Sequence, residues 1–445
     1  CIPSKALLTA VHSVETIHNA ERMGINATLQ SIDFGRLRDF RVSTVETMTK
    51  GLTGLLAHRG VTVFRGCAAL QNAHTVRVTP AEGETQVSRS VEAGVFEPVE
   101  TELAIDADDI VLATGSRPLA LPGNPFAGAL IDSTQALELN TLPSSAVIIG
   151  AGAVALEFAS LWNAAGCEVT LLIRKDRVLS TWERRASMTL TRELKRRGVN
   201  VIARTAVDRV DTGANLGATV HYRQGDSDED RTAYGEVVLA AIGRVPNTDA
   251  DWFRSSGLKL DERGYVTVDG YGRTNLDGVW ALGDITPGHA LAHRAFEQGI
   301  TIAEKIAGAD PKPVIDDTVP QGVFSFPEAA SVGLTLDQAK AREDVVEPKE
   351  TAYPMLSNAR MLMSGEGGSM TVVSGAFANN PDMQVVLGVH IVSPIASDLI
   401  AEAEQLVGNR VPLADAARLI HPHPTFSETL GEALLKADGR PLHTR

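Results

Sequence analysis

The chain has 445 residues, of which 44% are hydrophobic and 22% are charged, and its formal net charge is −14 at pH 7. This length predicts about two to four domains, each large enough for its own core. The acidic balance argues against nucleic acid or an anionic membrane as a partner, and no apolar run reaches the roughly 18 residues that span a bilayer.

The chain opens with the segment Cys1 to Lys5, which reads C-I-P-S-K. Ser4 is placed to cap a predicted helix that carries apolar residues at helical spacing and stops at Gly24. Cys1 therefore lies just before a helix N-terminus, where the partial positive charge favours a thiolate. A small core cysteine is the alternative interpretation. Neither an initiator methionine nor a signal-peptide pattern is present, so we expect further residues to precede Cys1.

The chain has three cysteines, Cys1, Cys67 and Cys167. Three thiols are too few for a disulfide framework, which predicts a reducing compartment such as the cytoplasm. A second amphipathic helix is expected over residues 34–57 and a strand over 61–64. Cys67 follows that strand, and we expect it to be a core residue.

Two strands of similar sequence end in similar glycine turns. Residues 109–118 read D-I-V-L-A-T-G-S-R-P, with Ala113, Thr114 and Gly115 in the turn, and residues 236–246 read E-V-V-L-A-A-I-G-R-V-P, with Gly243 in the turn. This internal repeat predicts two nucleotide-binding domains of similar plan. Chance similarity is the alternative, because buried strands draw on few residue types.

The middle of the chain has the pattern of a strand, a glycine turn, a helix and a second strand. The strand 147–149 leads into a G-x-G-x-x-A turn that contains Gly150, Gly152 and Ala155, followed by a helix over 156–165 and a strand over 169–173. The glycines permit a tight turn and close approach of backbone N–H groups to a pyrophosphate, and the helix N-terminus favours its charge. The pattern predicts a nucleotide site, although the glycine turn alone also fits one without a ligand.

The end of the second strand bears on coenzyme choice. NAD-binding sites usually have an acid there for the ribose 2′-hydroxyl, roughly 20 residues after the glycines. This chain has Ile173 followed by Arg174 and Lys175. Cations there favour the 2′-phosphate of NADP, or they are simply solvated, so NAD and NADP both remain open.

A third strand, over residues 278–282, ends in Gly283 and Asp284 and precedes a helix predicted over 290–307. An acid at the carboxyl end of a strand is well placed to accept hydrogen bonds from a ribityl or ribose hydroxyl. A plain helix cap is the alternative.

From residue 318 the pattern changes to an α+β domain without a phosphate-binding turn. We expect strands over 323–326, 370–373 and 385–392 and helices over 395–407 and 413–419. His423 then lies between two prolines, and Glu428 follows five positions later. A carboxylate on one ring nitrogen would fix the tautomer and leave the other nitrogen free for proton transfer. A purely structural histidine is the alternative.

These segments together resemble the flavin-dependent pyridine nucleotide–disulfide oxidoreductases of class I, and most closely the dihydrolipoamide dehydrogenases. The resemblance rests on C-I-P-S-K, A-T-G, the G-x-G-x-x-A segment through Glu157, the pair G-D, and H-P-T through Glu428. It implies an α/β fold with two Rossmann-like domains and a C-terminal α+β dimerisation domain. The implied division is an FAD-binding domain in two parts, an NAD(P)-binding domain and a dimerisation domain, over residues 1–141 and 265–317, 142–264, and 318–445 respectively.

The same resemblance implies roles for single residues. Cys1 is similar to the flavin-proximal thiol of a Cys-x-x-x-x-Cys pair whose first member, like the opening FAD-binding glycine turn, would lie upstream. Lys5 is similar to a lysine beside the flavin ring and Glu157 to its partner near the nicotinamide. Asp284 is similar to a flavin ribityl ligand. His423, oriented by Glu428, is similar to a base contributed by the other subunit, which implies a homodimer.

The implied activity is a relay from dihydrolipoamide through the cysteine pair and FAD to NAD or NADP, without a metal. A 2-oxoacid dehydrogenase complex is then a potential partner. Two alternatives stay open: an NADPH-dependent reductase of another small disulfide or a quinone, similar to glutathione reductase, and a non-catalytic descendant of the fold. The chain as given, without the upstream cysteine, is expected to have little disulfide-reductase activity.

Overall fold

The structure is a computed structural model that describes residues 1–213 and 217–444. In these ranges the chain forms twelve α-helices. They are α1 Ile2–Asn19, α2 Phe34–His58, α3 Ser133–Leu137, α4 Ala153–Ala164, α5 Arg184–Arg196, α6 Asp251–Ser255, α7 Ala292–Ile306, α8 Leu336–Ala341, α9 Ala359–Ser364, α10 Ala396–Gly408, α11 Leu413–Ala416 and α12 Glu428–Ala437.

The same ranges contain 23 strands. They are β1 Phe64–Arg65, β2 Cys67–Asn72, β3 Thr75–Thr79, β4 Ser88–Glu92, β5 Val95–Pro98, β6 Leu103–Asp106, β7 Ile110–Leu112, β8 Ser116–Pro118, β9 Leu130–Ile131, β10 Ser145–Ile149, β11 Glu168–Ile173, β12 Asn200–Ala203, β13 Thr205–Asp211, β14 Ala218–Gln224, β15 Arg231–Gly235, β16 Val237–Ala240, β17 Arg244–Pro246, β18 Val279–Ala281, β19 Gln321–Val323, β20 Glu328–Gly333, β21 Val345–Tyr353, β22 Ser369–Phe377 and β23 Asn380–Ser393.

The central layer is a five-stranded parallel sheet in the order β12-β11-β10-β16-β9. Its strands are apolar runs because both faces are covered. Ile148 and Leu171 face helices α4 and α5, whereas Val147 and Leu172 pack against the antiparallel sheet β13-β14-β15. The order of the elements matches a dinucleotide-binding βαβ unit.

The two repeated strand exits meet in space. Strand β7 pairs in parallel with β18, and the exit segments β8 and β17 pair with each other as an antiparallel ribbon. In this ribbon Ser116 lies opposite Pro246 and Pro118 lies opposite Arg244. The sequence repeat therefore corresponds to a structural seam between the two halves that carry it.

The C-terminal region is an antiparallel sheet in the order β19-β20-β23-β22-β21. Helices α10 and α12 cover it, and its core includes Val389, Ile391, Leu430 and Leu434. The long strands β22 and β23 are buried along most of their length, because helices on one face and other parts of the chain on the other exclude water. This α+β layer agrees with the predicted change of pattern after residue 318.

Several expectations for local structure were wrong. Of the strand expected over 61–64 only Phe64 lies in a strand, and the helix expected over 413–419 ends at Ala416. Ser4 does not cap α1, because the helix already begins at Ile2, with Pro3 in its first turn, and the Ser4 hydroxyl instead donates to the Cys1 carbonyl at 2.9 Å. The strand expected over 323–326 ends at Val323, before a cis Phe326–Pro327 bond. Cys67 is exposed rather than in the core, since it lies at the start of a strand in a small three-stranded sheet.

No described helix combines the length and the apolar composition needed to cross a membrane.

Candidate active site

Lys5 and Glu157 form an ion pair between helices α1 and α4. The Lys5 Nζ lies 2.7 Å from the Glu157 Oε2, and the Glu157 side chain is only 9% exposed. The backbone N–H of Phe324 donates to the other carboxylate oxygen at 3.2 Å, and the Lys5 Nζ lies 4.4 Å from the centroid of the Phe324 ring. Both carboxylate oxygens are therefore satisfied, as burial of a charge requires. Sequence reasoning missed Phe324, since a backbone N–H leaves no mark in a sequence.

Cys1 is the N-cap residue of α1 and is exposed. Lys5 follows one turn later, and its amide donates to the Cys1 carbonyl at 3.1 Å. Cys1 thus lies at the start of the helix that carries Lys5, one member of the ion pair. Cys167 differs, because burial raises the pKa of its thiol to about 12, with the nearby carboxylates of Glu236 and Glu168 adding to the effect. Cys167 is therefore an inert structural thiol at neutral pH.

Asp284 lies at the carboxyl end of β18 and is held by the neighbouring strand exits. The Arg244 Nε donates to the Ser116 Oγ at 2.7 Å, and the Ser116 hydroxyl donates to the Asp284 Oδ2 at 2.5 Å. Asp284 caps no described helix, because α7 begins eight positions later with Leu291 as its N-cap. The Asp284 Oδ1 accepts no hydrogen bond from the described residues, so a partly exposed carboxylate oxygen is free for a polyol hydroxyl.

These residues fit a flavin. The preceding Gly283 has φ of 70°, and its N–H donates to the Gln298 side chain at 2.9 Å. The A-T-G turn is held against the second exit segment, with Thr114 donating to the Asn247 carbonyl at 2.9 Å and Gly115 at φ 73°. The carboxyl ends of the paired strands β7 and β18 thus place the turn and Asp284 together, where α/β sheets bind ligands.

The glycine turn after β10 forms an open cradle. A Cβ on Gly150 would lie 2.2 Å from the Ala241 carbonyl oxygen, whereas the space beside Gly152 is empty to 4 Å. Gly152 is the N-cap of α4, no side chain caps the helix, and the small Ala155 is fully buried against the strand. A cavity of about 300 Å³ adjoins the turn, with Trp182 and Leu291 among its lining. The first N–H groups of α4 are therefore available to an anion.

Arg174 and Lys175 follow the last residue of β11 and are exposed. Within the described ranges neither side chain forms an ion pair or a hydrogen bond, whereas the nearby Arg177 pairs with Asp176 and donates to the Ser180 carbonyl. The segment turns back over the glycine turn, since the Leu179 N–H donates to the Ala151 carbonyl at 2.9 Å. The two cations thus stand beside the nucleotide cradle. Gly243, from the sequence repeat, begins the turn into β17 and has φ of 147°.

His423 and Glu428 form a hydrogen-bonded pair at the start of α12. The His423 Nδ1 lies 2.8 Å from the Glu428 Oε1, and the Thr425 N–H donates to Oε2 at 2.7 Å. Burial alone would raise the pKa of Glu428, but the Thr425 N–H and His423 together lower it. The carboxylate therefore stays ionised and can orient the imidazole. The His423 side chain is 80% exposed, so its Nε2 faces away from its own chain.

Two residues before it, His421 forms a second pair that sequence reasoning did not single out. The His421 Nε2 lies 2.8 Å from the Glu402 Oε1 of α10, and the ring is only 9% exposed. The two histidines of one short segment thus point in opposite directions, one inward and one outward.

Comparison with known proteins identifies the family. A family model described as pyridine nucleotide-disulphide oxidoreductase matches residues 1–299, and the model of its dimerisation domain matches residues 319–434. The chain belongs to this family.

Curated relatives of this oxidoreductase family align with the whole chain. A dihydrolipoyl dehydrogenase from Geobacillus stearothermophilus is 36% identical over 449 residues, which cover 100% of this chain and 88% of that protein. A dihydrolipoyl dehydrogenase from Bacillus subtilis is 33% identical, again over 100% of this chain and 88% of its own length.

Solved structures of the disulphide oxidoreductases share the fold. LpdA from Mycobacterium tuberculosis superimposes with a TM-score of 0.81 at 26% identity, over 98% of this chain and 90% of that chain. The flavoprotein disulfide reductase RclA from Escherichia coli matches with a TM-score of 0.77 at 24% identity, over 98% and 89% of the two chains, and shows the fold alone.

The predicted fold class is therefore confirmed, with FAD- and NAD(P)-binding regions and a dimerisation domain. The protein is a flavin-dependent oxidoreductase that relays electrons between a dithiol or disulfide and NAD(P), using FAD. The dimerisation domain makes it a homodimer.

Proposed function

We propose that the enzyme oxidises dihydrolipoamide to lipoamide and passes the electrons to a nicotinamide coenzyme. The observation that carries the proposal is the His423–Glu428 pair, with an imidazole that is oriented by an ionised carboxylate and open to an external thiol. The names of the relatives at 33% and 36% identity support lipoamide as the disulfide.

The proposed chemistry assigns proton transfer to His423 and the role of the flavin-proximal thiol to Cys1, whose upstream partner would exchange with the substrate. The neutral ring of His423 accepts a proton at Nε2 from a substrate thiol, while Glu428 holds Nδ1 and stabilises the charge that forms. The substrate thiolate then attacks the upstream sulfur of the disulfide that the family resemblance implies for Cys1, and Cys1 leaves as the thiolate. The second substrate thiol attacks the resulting mixed disulfide, which releases lipoamide and the upstream thiol. The helix N-terminus beside Cys1 favours the departing thiolate.

The proposed flavin contacts come from three parts of the chain. Asp284 would hold a ribityl hydroxyl, the turn Ala113 to Gly115 would lie against the cofactor, and Lys5, fixed by Glu157, would face its ring. When bound, FAD supplies a two-electron carrier between the thiols and the nicotinamide. The residues of this chain supply the position and the charge around it.

The proposed coenzyme site is the cradle of Gly150, Gly152 and Ala155, with Gly243 at its edge. Glu157 lies one helical turn into α4, where it would face the nicotinamide end. Free backbone N–H groups at the start of α4 would bind the pyrophosphate.

A second candidate function differs in coenzyme and substrate. Arg174 and Lys175 have no partners among the described side chains and lie beside the cradle, which favours the 2′-phosphate of NADPH. An NADPH-dependent reductase of another small disulfide or a quinone would use the same site in the reverse direction. A non-catalytic descendant of the fold is disfavoured by the intact His423–Glu428 and Lys5–Glu157 pairs.

The test is a substrate comparison with the full-length enzyme. Oxidation of dihydrolipoamide is measured beside reduction of lipoamide, glutathione disulfide and a benzoquinone, each with both coenzymes. We expect the highest kcat/KM for dihydrolipoamide. Turnover of the quinone alone would reject the dithiol proposal in favour of the second candidate.

A coenzyme variant tests the cations separately. Replacing Arg174 and Lys175 together by Ala should lower kcat/KM for NADPH by about ten-fold or more, as loss of charge-assisted phosphate contacts predicts, and should leave kcat/KM for NADH within about two-fold. A wild-type enzyme with a strong preference for NADH would show that these cations are only solvated.

Three further expectations belong to this proposal. The chain would divide into the FAD-binding parts 1–141 and 265–317, the NAD(P)-binding domain 142–264 and the dimerisation domain 318–445. A 2-oxoacid dehydrogenase complex would be the physiological source of dihydrolipoamide. The working compartment would be reducing, such as the cytoplasm, which suits a chain whose described cysteines are all free.

A further inference from the structure

His421 shares a short segment with the proposed base His423 but has a different environment. Its ring lies inside the protein, with Nε2 bound to Glu402 at 2.8 Å, whereas the His423 ring is 80% exposed. Prolines 422 and 424 flank His423 and limit the conformations of the segment between the two histidines. Because the His421 ring is held in place, the segment that carries His423 also begins at a fixed position.

The seat of the His421 ring is built by a glycine in the middle of a helix. A Cβ on Gly431 would lie 2.4 Å from the His421 Nδ1, so only glycine leaves room for the ring against α12. Glycine in a helix interior costs stability relative to alanine. The space that the His421 ring needs explains why glycine occupies position 431 despite that cost.

The segment is held at its other end by separate contacts. The Asn358 side chain donates to the Thr425 carbonyl at 3.0 Å, and the Thr425 N–H donates to Glu428. His423 thus lies between two anchored points, Thr425 on one side and His421 on the other. Among the described residues, the His421–Glu402 pair is the one side-chain hydrogen bond that ties the segment to α10.

From this geometry we propose that His421 and Glu402 form a clamp that positions His423 for proton transfer. His421 is a positioning residue in this assignment, since it acts through the segment and has no contact with a thiol substrate. The inference rests on the proposed role of His423 and adds a determinant of its activity.

The charge of His421 sets the pH range in which the clamp is strongest. The hydrogen bond from His421 to Glu402 raises the pKa of the ring above its ordinary value, against the opposing effect of burial. Glu402 from α10 and Glu428 from α12 are the charged groups that act on it, and both favour the protonated ring. The charged pair is therefore complete below the ordinary histidine pKa and is lost as the pH rises through the raised pKa.

The test compares two activities of the same full-length enzyme. Dithiol oxidation, with dihydrolipoamide and the preferred coenzyme, requires a base at position 423, whereas reduction of a benzoquinone by the coenzyme does not require it. His421→Ala should lower kcat for dithiol oxidation by about ten- to a hundred-fold, as a misplaced reacting group does, and should change quinone reduction by less than about two-fold. Gly431→Ala, which displaces the ring from the α12 side, should reproduce this pattern.

His421→Gln is the conservative variant, because its amide can still donate to Glu402 without titrating. We expect it to restore most of the dithiol activity at neutral pH. As the pH rises through the raised pKa of His421, the wild-type kcat should fall relative to that of His421→Gln, since only the wild type loses a proton from the clamp. His443→Ala is the matched control, since His443 pairs with Glu432 at the same distance of 2.8 Å but is 69% exposed.

The outcomes separate the clamp from the function it serves. Equal loss of both activities in His421→Ala and Gly431→Ala would mean general damage to the fold and would overturn the clamp, as would unchanged dithiol activity. If instead His423→Gln itself left dithiol oxidation intact, the proposed function of His423 would fail, whatever the result at position 421.

Discussion

The two side-chain pairs proposed to serve the reaction are built in opposite ways. Lys5 and Glu157 are 152 positions apart, and their side chains are 31% and 9% exposed. His423 and Glu428 are five positions apart, and the histidine is 80% exposed. The first pair is complete within one chain, where a third contact from Phe324 satisfies it. The second pair would be half of a site, because its exposed ring nitrogen faces a surface that the described residues of its own chain do not cover.

The two pairs obtain their electrostatic environments from different sources. A buried pair receives a low dielectric and fixed partners from its own fold, so its loss should be felt as instability. An exposed pair contributes little to stability, so its loss should be felt in the chemistry alone.

The largest effect is expected for His423→Gln. Loss of a general base should lower kcat for dihydrolipoamide oxidation by about 10²–10⁴-fold, while quinone reduction and the melting temperature stay near the wild-type values. Steady-state kinetics and thermal unfolding measure these quantities. The variant His443→Gln should leave all of them unchanged, and a dithiol activity of His423→Gln close to wild type would remove this residue from the mechanism.

A mixing experiment asks which chain supplies the base. Homodimers of His423→Gln and of Cys1→Ser should each have little dithiol activity. After subunit exchange, a mixed dimer pairs one intact Cys1 with one intact His423 across the interface, so a 1:1 mixture should regain about one quarter of the wild-type activity. No recovery after exchange, verified by mass spectrometry of the dimers, would place His423 in the site of its own chain.

The fully buried His390 should make the free energy of unfolding depend on acid pH. His390 is bonded to Ser331 and to the Leu334 carbonyl, and burial lowers the pKa of its ring to about 4. Its contribution to stability is complete above the ordinary histidine pKa of about 6.5 and is lost as the pH falls through about 4, by up to roughly 3 kcal/mol. Urea unfolding between pH 7 and pH 4 should therefore show a smaller decrease for His390→Asn than for the wild type. Parallel pH curves would contradict the assignment.

A smaller loss of stability is expected for Glu157→Gln. The neutral amide still accepts from Phe324 but leaves Lys5 without its counter-charge, which should lower the free energy of unfolding by about 2 kcal/mol, less than for a fully buried pair because Lys5 is partly exposed. Asp249→Asn, which breaks the exposed Arg117–Asp249 pair, should change it by less than about 0.5 kcal/mol. Similar losses in the two variants would erase the contrast between buried and exposed pairs.

The sequence predicts the local parts of this molecule better than the distant ones. The glycine turn at Gly150 and the His423–Glu428 pair lie within short segments, so their spacing carries the information. The proximity of Lys5 to Glu157 was implied only by the family resemblance, because spacing cannot join helices 152 positions apart. The contribution of Phe324 is a backbone N–H and a ring face that no motif encodes. The inward position of His421 depends on α10 and on Gly431, and neither lies within its own segment.

The errors have the same origin. Ser4 has the side chain of a helix cap, but Pro3 fits the first turn and moves the helix start forward. Cys67 follows a predicted apolar strand, but it begins a strand of a small sheet that leaves the residue uncovered. In both cases the residue type favours one structure, and the residues around it in the same chain determine the structure that forms.

The ribbon of β8 and β17 joins the proposed coenzyme side of the molecule to the proposed flavin side through two consecutive hydrogen bonds, from Arg244 to Ser116 and from Ser116 to Asp284. The aspartate that would steady the cofactor is therefore itself steadied by an arginine from the exit of a different nucleotide-binding strand. Redesign of that exit for another coenzyme would therefore also change how firmly the cofactor is held, because the Ser116 hydroxyl bonds to both Arg244 and Asp284.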